Sequence, residues 1–143
     1  MTDEQQIRDL IQRWTTAVHA GDLPQVLADH AANIVMFDVP PPYQGVRGIN
    51  AYRDTWPGSF RWQASGSVFD IESLEVTAGA DVAFAFALLR CGTVADYERD
   101  PEQRPRLTIG LRRCDGGPRK VQDRWTVTHE HHSFTDAIEP TGA

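Results

Sequence analysis

From Ile7 onward the apolar residues recur at steps of three and four. Ile7, Leu10, Ile11, Trp14 and Val18 therefore form one stripe along a predicted helix. Thr2-Asp3-Glu4-Gln5 reads as a capping box ahead of that stripe, and Gly21 suits its end. Asp22 is placed to cap a second, shorter helix with Pro24 in its first turn, where Leu23, Val26, Leu27 and His30 keep the helical spacing. The run Asn33 to Asp38 is rich in strand formers and stops at Pro40-Pro41-Pro42, so Asp38 falls at a strand end. After Gly45 and Gly48, Ile49, Tyr52 and Trp56 restore the helical spacing, and Pro57-Gly58 is expected to close a third helix.

Beyond Ser67 the period changes to two. Strands are predicted over Ser67 to Val76 and Val82 to Cys91, joined at Ala78-Gly79-Ala80. In the second of them Phe84, Phe86, Leu88 and Arg90 share one face and Ala83, Ala85, Ala87 and Leu89 the other, and the larger set is expected to face the helices. Gly92 to Pro105 reads as a long loop, and Arg106 to Cys114 and Val121 to Ser133 as the last two strands, around a turn at Asp115-Gly116-Gly117-Pro118. Three helices followed by an antiparallel meander make an α+β fold: a cone-shaped, strongly curved antiparallel sheet packed on three N-terminal helices. One domain is expected over residues 1–135, with a flexible tail over 136–143.

Charge narrows the partners. Fourteen Lys and Arg against twenty Asp and Glu, in 143 residues, give −6, which argues against nucleic acid and anionic membranes. The longest uncharged strand-like run is far short of a membrane span, and the polar start is not a signal peptide. Cys91 and Cys114 form no metal or disulfide motif. A soluble cytoplasmic setting is the expectation.

Asp38, leaving a strand between Phe37 and Val39, suits a partly desolvated general base or a cap for the proline turn. In His129-Glu130-His131-His132 a regular strand points His129 and His131 to one side and Glu130 and His132 to the other. The first pair suits proton transfer, a hydrogen-bonded pocket or, less readily, a metal. Arg90, Arg106 and Thr108 sit where they could hold a substrate oxygen or form ordinary surface contacts. Trp14, Tyr43, Trp56 and Phe86 could line a cavity for a flat apolar ligand or fill the core.

Gln12-Arg13-Trp14 with Ala20-Gly21-Asp22-Leu23, Phe37-Asp38-Val39-Pro40-Pro41, Val82-Ala83-Phe84-Ala85-Phe86, Arg106-x-Thr108 and Trp125-x-Val127-x-His129-Glu130-His131-x-Ser133 follow in an order that resembles the nuclear transport factor 2-like superfamily. Within it the chain is most similar to the ketosteroid isomerase and SnoaL-like polyketide cyclase branch, over about Glu4 to Ser133. The resemblance implies a cystatin-like α+β barrel, a hydrophobic pocket and a homodimer paired through the outer sheet face. It puts the proton-moving Asp of ketosteroid isomerases at Asp38 and their oxyanion-hole tyrosine at Trp14. Their second, carboxylic donor falls at or next to Gly110, which has none.

Two functions are therefore expected to compete. One is cofactor-free isomerisation, cyclisation or dehydration of a small apolar carbonyl compound, with Asp38 as base and His129 or His131 across from it. The other is a non-catalytic ligand-binding or oligomerisation module of the same fold. A metal enzyme using His129 and His131 is a distant third.

Overall fold

The computed structural model describes residues 1–114 and 124–135, and of Cys114 only the backbone. Helix α1 (Asp3–Ala20) starts where Thr2 accepts the Gln5 N–H and ends at Gly21 in the left-handed region, φ +65°. Its predicted stripe is buried, joined by Ala17. Asp22 caps α2 (Leu23–Leu27) through the Gln25 N–H. His30 does not continue that helix. The chain leaves it at Ala28, Asp29 adopts φ +62°, and His30 opens strand β1 (His30–Phe37). Asp29 is held there by Arg13 at 3.6 Å and Arg124 at 3.3 Å.

After a two-residue strand β2 (Val46–Arg47), helix α3 spans Ile49–Ala64 and runs through Pro57. Pro57 removes a single helical hydrogen bond, whereas Tyr52, Trp56 and Phe60 on successive turns all pack on the core. That packing outweighs the lost bond and carries the helix past the proline.

Strands β3 (Val68–Ala78), β4 (Val82–Gly92), β5 (Arg106–Cys114) and β6 (Arg124–Ser133) complete a curved, unclosed six-stranded sheet of order β2-β1-β6-β5-β4-β3. All neighbours are antiparallel except β1 and β6, which run parallel. The predicted loop before β5 contains α4 (Val94–Arg99), begun by a reciprocal capping box between Thr93 and Asp96. The predicted turn at residues 115–118 and the predicted tail lie outside the described residues.

The two faces of β4 are the reverse of the expectation. Ala83, Ala85, Ala87 and Leu89 are buried against the helices, while Phe84, Phe86 and Leu88 are exposed on the outer face. The reason is volume. The helices bring Trp14, Tyr52 and Trp56 into the same core, and three alanines leave room for those rings at native packing density.

Candidate functional site

One irregularity in β6 decides which side chains face inward. Trp125 and Val127 are buried in the core, and an unbroken strand would carry His129 and His131 inward after them. The register with β5 slips instead: Leu111 pairs with Val127 but Gly110 with His129, so Thr128 is an extra residue. From there Ile109 faces Glu130 and Leu107 faces His132, and these share the core side. His129 and His131 pass to the outer face. There they flank the Phe37 ring at 5.1 and 5.6 Å, and His129 Nδ1 lies 2.6 Å from the Val35 carbonyl oxygen.

Glu130 is 1% exposed, and three groups on three elements converge on its carboxylate. Tyr52 Oη, from α3, donates to Oε2 at 2.6 Å, and His30 Nε2, from β1, lies 3.2 Å from the same oxygen. His132 Nε2 lies 3.1 Å from Oε1. Burial alone would favour the neutral acid, but the hydrogen bonds from His132 and His30, and then their charges, hold the carboxyl down at about 2. Both imidazoles resist burial in turn and bind a proton more tightly than usual, through the hydrogen bond and charge of Glu130. Burial, reinforced by Glu130, raises the Tyr52 hydroxyl well above its ordinary value, so it stays a donor. The His132 side chain is one-fifth exposed, and its Nδ1 makes no hydrogen bond among the described residues.

Beside this cluster, aromatic rings occupy the space between sheet and helices. The Trp14 ring meets Trp56 edge-on at 6.0 Å and Phe69 at 5.6 Å, and Trp56 meets Tyr52 at 5.9 Å and Phe60 at 5.7 Å. The indole N–H groups of Trp14 and Trp56 are buried without a hydrogen-bond partner among the described residues. Both weigh on the Tyr52 oxygen without reaching bonding geometry. Donors buried in this way cost stability.

The other predicted residues are spread over the surface. Asp38 is exposed and accepts the Val39 N–H at 2.8 Å, the capping geometry of the second reading of that residue. Its charge is nevertheless felt at His132 and at Cys91, whose thiol burial and then Asp38 and Asp96 push up to about 11. Asp38 thus belongs to the same end of the sheet as His132. Phe86, expected as a pocket wall, stacks on Phe84 across the outer face at 6.3 Å, because β4 turns its alanines inward. Arg90 lies over the Tyr97 ring at 4.4 Å, Arg106 Nη2 donates to the Phe134 carbonyl oxygen at 3.0 Å, and Thr108 is exposed opposite His131. Tyr43 is fully exposed.

Of the predicted set, then, Trp14 and Trp56 meet inside and the rest do not. Sequence reasoning passed over Glu130 and His132 as a functional pair and placed His30 on a helix. The visible signal was the small Gly110 opposite His129, where a bulge fits. Among the described residues no three His, Cys, Asp or Glu side chains converge as a metal site, and no helix is long and apolar enough to cross a membrane.

A family model for the SnoaL-like domain matches residues 7–137. The fold is shared with a nuclear transport factor 2-like protein of unknown function from Pseudomonas putida KT2440, which is 32% identical. The match covers 96% of each chain with a TM-score of 0.74. A provisionally named ketosteroid isomerase from Shewanella frigidimarina is 17% identical over 87% of this chain and 92% of that one, with a TM-score of 0.67. A provisionally named dehydratase of the same superfamily from Streptomyces avermitilis is 15% identical over 94% and 97%, again with a TM-score of 0.67. No curated protein matches significantly. The chain belongs to the SnoaL-like domain family of the nuclear transport factor 2-like superfamily.

Proposed function

We propose that this protein moves a proton, without a cofactor, on a small apolar carbonyl compound brought against His132, the partly exposed member of the buried cluster. The observation that carries this reading is the Tyr52–Glu130–His132 chain. A buried carboxylate fixes one imidazole nitrogen of His132 and leaves the other without a partner among the described residues, the arrangement a general base needs. Asp38, exposed at the same end of the sheet as His132, would assist the proton's passage. Isomerisation, cyclisation and dehydration all use this step. A homodimer joined through the outer face, where Phe84, Phe86 and Leu88 are exposed, completes the proposal.

The test is solvent deuterium exchange at the α-carbon of 2-tetralone, a flat ketone, followed by NMR. The protein should accelerate exchange, and His132→Gln should lower the rate by roughly 10²–10⁴-fold, since glutamine still donates to Glu130 but is no base. No acceleration by the parent protein, or an undiminished rate in the variant, refutes the reading. A loss that follows His131→Gln instead returns the role to the outer face. The second reading, a ligand-binding module, is favoured by the Asp38 carboxylate already engaged by its own chain. It predicts saturable binding with no exchange.

A further inference from the structure

We infer that His30 is a fixed imidazolium whose charge neutralises Glu130, and that it thereby sets how firmly Glu130 holds a proton on His132. Its functional meaning rests on the proton-transfer reading above. Its electrostatic content does not.

Both ring nitrogens of His30 face oxygens. Nδ1 lies 2.9 Å from the Ala28 carbonyl, where α2 ends, and Nε2 lies 3.2 Å from Glu130 Oε2. A carbonyl oxygen and a carboxylate oxygen can only accept, so each nitrogen must carry a hydrogen and the ring is positively charged. Tyr52 Oη is also 3.2 Å from Nε2, yet its hydrogen goes to Glu130 at 2.6 Å, which leaves Nε2 no donor to accept from. The side chain is 1% exposed and stacks on the Tyr52 ring at 5.0 Å, which shuts bulk solvent away from both nitrogens.

The surroundings fit a resident cation. From β6 it faces Glu130 and, beyond it, His132. From α3 it faces Tyr52, and from the preceding turn Asp29, whose carboxylate adds a favourable charge while paired to Arg13 of α1 and Arg124 of β6. Trp14, the α1 side chain bearing on Tyr52, is neutral.

The two histidines therefore divide the carboxylate. His30 occupies Oε2 without access to solvent, and His132 occupies Oε1 with one nitrogen unpartnered among the described residues. Only His132 is built to exchange its proton. Without the charge on His30, Glu130 would act on His132 undiluted and keep it protonated, unfit as a base at neutral pH.

Long-range ¹H–¹⁵N correlation spectra of the imidazole rings test this directly. In the parent protein both His30 nitrogens should read as protonated at pH 7, while His132 titrates. In His30→Gln, which retains a donor for Glu130, the His132 midpoint should rise by roughly one to two pH units. A purely structural role would loosen the fold without that upward shift. A neutral single tautomer of His30 at pH 7 overturns the inference. So does an unmoved or lowered His132 midpoint in folded His30→Gln. The measurement on the parent protein decides the matter should the variant not fold. Because none of these readouts uses turnover, a failed ketone exchange would remove the proton-transfer reading and leave the state of His30 standing.

Discussion

Glu130→Gln probes the cluster most severely. The substitution removes one charge and replaces an acceptor oxygen with an amide donor, while Tyr52 Oη, His30 Nε2 and His132 Nε2 keep their positions around it. The amide oxygen can serve one side of the site, and the NH₂ group then meets a hydrogen on the other. Removing one member of a buried charge set costs about 3–5 kcal/mol. His30 can shed its proton in response, which keeps the loss toward the lower figure. Domains of this size carry about 5–15 kcal/mol in total and lose roughly 3–4 °C per kcal/mol, so calorimetry should show a Tm about 10–15 °C lower.

The pH dependence is a second signature. His30 and His132 have raised values, so their stabilisation is complete below the ordinary 6.5 and is lost as pH rises through the raised values. Glu130 is lowered to about 2, so its stabilisation is complete above the ordinary 4.5 and is lost as pH falls toward 2. The gap between parent and variant should therefore be widest between about pH 4.5 and 6.5 and narrow on both flanks. A variant within about 1 kcal/mol of the parent at pH 5.5, or a gap that is flat with pH, refutes the reasoning.

Two further outcomes test the faces and the thiol. Phe86→Asp on the outer face should leave the melting temperature within a few degrees and shift the proposed dimer toward monomer in sedimentation, whereas Ala87→Asp, buried among the core residues, should prevent folding. Similar behaviour of the two variants would mean that the faces of β4 are misassigned. With its thiol at about 11, Cys91 in a Cys114→Ser background should carry roughly 200-fold less thiolate at pH 8 than an ordinary cysteine and react with iodoacetamide correspondingly slowly. A rate within tenfold of a free thiol counts against that environment.

What could be read from the chain follows what is local. The Thr2 cap, the Ile7-to-Val18 stripe, Gly21, the Asp22 cap and the alternation of β4 all act within a few residues, and each lies where its chemistry requires. The errors arise where distant packing overrides a local rule. Pro57 signals an ending, but the core contacts of Phe60 carry α3 onward. The phenylalanines of β4 signal burial, but its inner face carries Ala83, Ala85, Ala87 and Leu89 instead. His30 keeps a helical spacing, but its ring is claimed by a carboxylate 100 residues away.

The inward histidine is the sharpest case. A strand's side-chain period is two, so a single inserted residue transfers everything beyond it to the opposite face. Composition in His129-Glu130-His131-His132 cannot reveal which phase prevails, because both phases offer imidazoles. Partners on other elements distinguish them. In the observed phase Glu130 meets Tyr52 and His30, and His129 reaches the Val35 carbonyl oxygen. In the opposite phase Glu130 would lie on the outer face, and Tyr52 and His30 would be buried without their acceptor, a penalty the apolar side chains of β6 could not offset. Gly110 makes the slip cheap: His129 Cβ lies 3.4 Å from where a side chain would begin, and the Thr128 hydroxyl donates to the Gly110 carbonyl oxygen at 3.3 Å. The bulge and the buried network therefore require one another, and the catalytic proposal inherits its geometry from that dependence rather than from any motif in the strand.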